Sequence, residues 1–213
     1  PPAARLGIIL SSGNWTLETY FRAYAPVDLG IHVTRMRMGS GGERTQGDIE
    51  TDILQCARLL ADAKVDVIDL QGTGIMMERG PEGEAEIVRA IEEATGTPAY
   101  TATGAAVEAL RALDIEKLVL VGPYGDGALA RESAFMEGVG FSIVDAVGLD
   151  RGSRSNEVPP ADWIAAAAAR RWAEADGIFF SGSNTRMVEA IAPTEHALGR
   201  PVVTSVQAAL WAG

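Results

Sequence analysis

The 213-residue sequence holds a single cysteine, Cys56, and two histidines, His32 and His196. One thiol cannot close an internal disulfide, so a reducing compartment is expected. So few nitrogen and sulfur ligands also argue against a structural zinc centre, and no metal site is expected. Basic clusters are missing too: 18 Lys and Arg stand against 29 Asp and Glu, a net charge of -11. A nucleic-acid surface needs a cationic stripe, so no nucleic-acid partner is expected. No apolar run is long enough to span a bilayer, and Pro1–Arg5 has no signal-peptide character. The expectation is therefore a cytoplasmic protein with no membrane partner. Neither a GxGxxG nor a Walker-type loop occurs, and no cofactor is expected.

What is present is an alternation of short apolar runs with helical patterns. Leu6–Leu10, Ile31–Met38, Val65–Leu70, Pro98–Thr101, Leu118–Val121, Phe141–Ala146, Gly177–Phe180 and Pro201–Thr204 read as strands. Ile49–Ala63, Glu82–Ala94, Ala105–Leu113, Ala128–Val139, Trp163–Ala175 and Met187–Leu198 read as helices, and residues 148–160 as a loop. Strand and helix in turn predict an α/β fold with parallel sheets flanked by helices.

The chain also repeats itself at a shift of about 110 residues. Asp66–Gly74 falls on Asp176–Asn184, and Leu6–Gly13 falls near Lys117–Tyr124. The segment ATGTPAYTATGAAVEAL echoes the terminal ALGRPVVTSVQAALWAG. Three overlaps in one order predict a duplicated unit, hence two pseudo-symmetric lobes. Residues 1–115 with 205–213 are assigned to the first lobe and 116–204 to the second.

In open parallel sheets, ligands bind beyond the carboxyl ends of strands, where loops lead into helix N-termini. Four loops have the composition for this: Ser12-Gly13-Asn14, Gly72-Thr73-Gly74, Tyr124-Gly125-Asp126 and Gly182-Ser183-Asn184. Glycine lets the backbone approach a ligand, and Thr73 and Ser183 add hydroxyl donors. The plainer alternative is that Thr73 and Ser183 are helix caps. Asn14 could be a turn residue, and Tyr124 a packing residue.

At these residues the chain resembles the aspartate/glutamate racemase superfamily, in its arylmalonate decarboxylase and maleate cis-trans isomerase branch. The resemblance rests on Leu6–Glu18, Val33–Met38, Val65–Gly74, Pro123-Tyr124 and Asp176–Arg186, and covers the whole chain. It implies an active site in the cleft between lobes, a small carboxylate partner and a homo-oligomer. It places Thr73, Gly74, Tyr124, Ser183 and Asn184 in a dioxyanion hole, with Gly72 and Gly182 in the same turns. Ser12 and Asn14 would hold a second carboxylate. One departure is large: the superfamily's cysteine positions read Gly72 and Gly182 here. Cys56 lies at an apolar position of a helix and reads as core.

Glycine can neither exchange a proton nor add to an alkene, so two-base racemisation and thiolate isomerisation both lose their reagent. Decarboxylation asks only for an anion cradle and a final proton. The first expectation is a cofactor-independent lyase using Thr73, Tyr124 and Ser183. The second is an isomerase or racemase with other acids, Asp126 being the only ionisable residue in the four loops. The third is a carboxylate-binding protein without catalysis.

Overall fold

The computed structural model describes residues 2–38 and 45–213, with residues 152 and 153 described in backbone only. Its first unit runs β1 (Ala4–Ser11), α1 (Leu17–Tyr24), β2 (Leu29–Met36), α2 (Gln46–Asp62), β3 (Val67–Leu70), α3 (Thr73–Thr95), β4 (Ala99–Thr101) and α4 (Ala102–Ala112). The second repeats it: β5 (Lys117–Gly122), α5 (Asp126–Gly138), β6 (Ser142–Gly148), α6 (Pro160–Ala168), β7 (Gly177–Phe180), α7 (Ile191–Leu198), β8 (Val202–Thr204) and α8 (Ser205–Ala212).

Each unit forms a four-stranded sheet, in the orders β2-β1-β3-β4 and β6-β5-β7-β8. Every pairing is parallel. The two registers match. Leu6–Ile9 of β1 lie beside Val67–Leu70, and Leu118–Val121 of β5 beside Gly177–Phe180. The same ladder bond ends both central pairs: Gln71 N–H donates to Ile9 O, and Ser181 N–H to Val121 O, each at 2.9 Å. Both central strand pairs therefore stop at one level, and the loops after them leave side by side.

The strands are apolar on both faces because both faces are covered. Leu6, Ile8 and Leu10 of β1 join Val119, Val121, Ile178 and Phe180 in a core shared by the two lobes. Ile9, Ile68 and Leu70 point the other way, into a cluster with Ile53, Leu60, Ile87 and Ile91 of α2 and α3. Leu118, Leu120 and Phe179 do the same with Phe135 and Met136 of α5. Each such side chain contributes about 1.5–3 kcal/mol on burial. Helices α4 and α8 pack on each other. Both open on a threonine cap: Thr101 Oγ1 accepts from Gly104 N–H at 2.9 Å, and Thr204 Oγ1 from Gln207 N–H at 3.0 Å.

Several boundaries differ from the sequence reading. Helix α1 was not foreseen. The helix expected at Glu82 begins at Thr73 and breaks where Gly80 takes φ 73° and ψ 175° ahead of Pro81. Its first segment carries Ile75, Met77 and Glu78 toward the cleft. The helix expected to reach Ala175 stops at Ala168, and residues 172–174 form a separate 3-10 turn. The 148–160 loop contains a 3-10 segment at Gly152–Glu157.

Candidate active site

A cavity of about 440 Å³ opens at the carboxyl ends of the two sheets. Gly72, Thr73 and Gly74 line it from the first lobe; Pro123, Tyr124 and Gly182–Thr185 line it from the second. Gly72 and Gly182 take φ of +136° and +111°, a region that L side chains rarely adopt. This sharp turn delivers the next residue into the cleft. Thr73 then occupies the first turn of α3, where amides have no partner within the helix. Its hydroxyl is buried and unpartnered, as is that of Thr185 from the other lobe. Met38, Ile75, Met77 and Ala128 supply an apolar wall.

The loop after β1 behaves differently from its three counterparts. Ser11 lines the cavity, whereas Ser12 and Asn14 lie outside its lining. Ser12 is exposed, and its Oγ accepts from Met38 N–H at 3.3 Å. Asn14 is buried, and its Oδ1 accepts from Thr16 and Leu17 N–H, both at 3.2 Å, where α1 begins. Its Nδ2 donates to Ser183 Oγ at 3.2 Å. Asn184 answers from the second lobe: Oδ1 accepts from Trp15 N–H and Thr16 Oγ1, each at 3.2 Å, and Nδ2 donates to Gly13 O at 3.3 Å. Arg35 Nη1 braces the same loop through Asn14 O at 2.6 Å. These bonds clasp the lobes together beside the cavity.

Of the ionisable groups, Asp126 is exposed in the first turn of α5 and does not line the cavity. Glu132, on the same helix, does line it and is 1% exposed. Sequence reasoning missed it, although a signal exists. The buried face of α5 reads Leu129, Glu132, Phe135, Met136, an acid on an apolar stripe. Burial pushes the Glu132 carboxyl up to about 8, with the nearby Ser181 hydroxyl opposing. Burial and then the Glu132 charge raise the Tyr124 phenol well above its ordinary value, so it stays protonated and can donate. Arg131 pairs with Glu78 at 3.4 Å on the cavity lining, and Arg79 turns away to Glu50 at 3.1 Å. Cys56 is buried in the cluster between α2 and the first sheet, outside the cavity lining. Among the described residues no three His, Cys, Asp or Glu side chains are grouped to hold a metal ion, and no helix is long and apolar enough to cross a membrane.

A family model described as arylmalonate decarboxylase matches residues 36–213. The chain belongs to the arylmalonate decarboxylase family. Within reach of this family lie two kinds of enzyme. An arylmalonate decarboxylase from Bordetella bronchiseptica is 28% identical over 216 residues, covering 99% of this chain and 85% of that one. A maleate isomerase from Nocardia farcinica is 27% identical over 216 residues, covering 96% and 86%. A solved structure of the Nocardia farcinica maleate cis-trans isomerase, a cysteine-to-serine mutant with a covalently bound succinylcysteine intermediate, superimposes with a TM-score of 0.90. It is 25% identical, with 98% of this chain and 90% of that chain covered. The two-lobed architecture is thus shared with that isomerase, and a solved arylmalonate decarboxylase, 25% identical over 98% of this chain and 90% of that one, superimposes with a TM-score of 0.86.

Proposed function

We propose that this family member is a cofactor-independent carboxy-lyase acting on a small malonate-like carboxylate. One observation carries the reading. Two buried hydroxyls without partners among the described residues, Thr73 Oγ1 and Thr185 Oγ1, belong to residues that line one cavity from opposite lobes. A buried hydroxyl with no hydrogen bond costs about 1–3 kcal/mol. A carboxylate between the two turns removes that cost. Its oxygens are cradled by the turns Gly72-Thr73-Gly74 and Gly182-Ser183-Asn184, with the Tyr124 hydroxyl as a further donor. The second carboxylate lies against the apolar wall of Met38, Ile75, Met77 and Ala128, where ionised oxygen is poorly solvated.

In the reaction, the bond between the α-carbon and the second carboxylate breaks and CO₂ leaves. The electron pair passes into the first carboxylate as an enediolate. Preorganised donors at that developing charge are worth about 10²–10³ in rate each. A proton then returns to the α-carbon. No thiol is required. The isomerase reading draws on the maleate isomerases among the relatives, one of which carries a succinylcysteine. Here glycines 72 and 182 hold the places that the superfamily gives to cysteine, and Cys56 does not reach the cavity.

The test is incubation with 2-substituted malonates and with maleate, followed by CO₂ release and NMR of the product in D₂O. CO₂ with deuterium on the α-carbon is the expected result. Fumarate from maleate would replace this reading with the isomerase, and saturable binding without turnover would replace it with a carboxylate-binding protein.

A further inference from the structure

Carboxy-lyase chemistry ends on a proton transfer, and the turns that cradle the anion hold no acid. Glu132 is the buried acid that remains. It is 1% exposed, lines the cavity, and neither carboxyl oxygen makes a geometric hydrogen bond to the described residues. Its position depends on a missing side chain. A Cβ on Gly122 would lie 3.2 Å from Tyr124 Cδ2 and 3.3 Å from Glu132 Oε2. Tyrosine ring and carboxyl therefore share the space beside that glycine, at the carboxyl end of β5.

From the loop after β5 comes Tyr124, neutral and partly buried. From the end of β7 comes the buried Ser181 hydroxyl, which favours the ionised form of both Tyr124 and Glu132 and is outweighed by burial. Arg131, next in sequence, is held by Glu78 across the cavity lining. Among the described residues no guanidinium pairs with Glu132, so its ionised form would be a buried, uncompensated charge. The neutral acid is the stable species at pH 7.

We propose that Glu132 is the general acid of this site, its neutral carboxyl giving the hydrogen that the α-carbon takes up after CO₂ has left. The inference rests on the carboxy-lyase reading. In the step, the Glu132 O–H bond breaks and its electron pair stays on the carboxylate. The enediolate pair forms the new C–H bond, and the first carboxylate is restored. Product leaves, and Glu132 regains a proton from water. A carboxyl here performs the service for which a thiol is better known, and it does so from the second lobe alone.

Two measurements test it. Infrared difference spectra of wild type against Glu132→Gln at pH 7 should show one protonated carboxylic acid that the variant lacks. Its absence overturns the inference whatever the activity. The second uses a prochiral 2,2-disubstituted malonate. Wild type should yield one enantiomer. Glu132→Gln should turn over about 100-fold more slowly, and its product should lose handedness, because water then supplies the proton from either face. Glu132→Asp, which keeps an acid, should retain part of the handedness. Circular dichroism checks that both variants fold. A Glu132→Gln enzyme with unchanged rate, enantiomeric excess and pH profile overturns this inference while leaving the carboxy-lyase reading intact. Absence of CO₂ from wild type overturns both.

Discussion

Stability should fall as the pH rises through neutrality, and Asp69→Asn should flatten that fall. Asp69 is fully buried in β3. Its Oδ2 accepts from Gln71 Nε2 at 2.6 Å, while Oδ1 has no partner. Burial pushes its carboxyl from 3.8 up to about 8, against the lowering effect of the Gln71 bond. Because the folded value lies above the unfolded one, the folded state holds the proton longer. The resulting stability is complete below pH 3.8 and is lost as the pH rises through about 8. At about 1.36 kcal/mol per unit, the full shift corresponds to roughly 6 kcal/mol. Of this, the part between pH 5.5 and about 8, about 2.5 units, is roughly 3 kcal/mol. Glu132 acts with the same sign, between 4.5 and about 8. Urea unfolding of wild type and Asp69→Asn at pH 5.5, 7.0 and 8.5 gives the answer directly. The stability difference between the two proteins should move in favour of the variant by about 2–3 kcal/mol across that range. In melting temperature this is roughly 4–12 °C for a chain of this size. A difference that stays constant with pH would refute the reasoning, because Asp69 would then carry the same charge folded and unfolded.

Asn184→Ala removes three bonds to residues 13–16 and should cost about 2–3 kcal/mol of stability, together with weaker binding of a small carboxylate by calorimetry. Tyr124→Phe keeps the ring beside Gly122 but loses the hydroxyl. Turnover should drop about 10²–10³-fold with little change in melting temperature. Gly182→Cys places a side chain at φ +111°, with its Cβ 3.3 Å from Pro123 Cγ. It should destabilise the fold by about 1–3 kcal/mol in chemical denaturation, even as it introduces a thiol that labelling reagents detect.

The duplication was legible because each copy keeps the same strand and the same glycine-hydroxyl turn, and identical register follows from identical pattern. Thr73 and Ser183 could be placed in one cleft on that basis, and both line the cavity. Asn14 could not be placed so well. Its bonds to Thr16 and Leu17 N–H are those of the turn residue that the sequence allowed, but its bond to Ser183, 169 residues away, is one that no local pattern reveals. Helix α1 escaped notice because its cap precedes a short segment with only Leu17 and Phe21 buried. Glu132 was hidden by being ordinary in composition: one acid among many in an acidic chain. Only its helical phase, shared with Leu129, Phe135 and Met136, separates it from the solvated carboxylates, whereas Asp126, which reads as a loop residue after Gly125, opens α5 on the exposed side.

The near-twofold repeat of the backbone does not extend to what the two copies bring. The N-terminal copy contributes a turn of amides and a hydroxyl; the C-terminal copy contributes a matching turn and, in addition, the phenol and the carboxyl on and behind α5. On the carboxy-lyase reading, a guest lying on the pseudo-axis would meet equivalent grips on its left and right but a buried carboxyl from one direction only, since Glu78 of the first copy is exposed and held by Arg131. Mirror-image faces of a flat intermediate would be unequal there from the outset, so a symmetric frame would suffice to build a handed product.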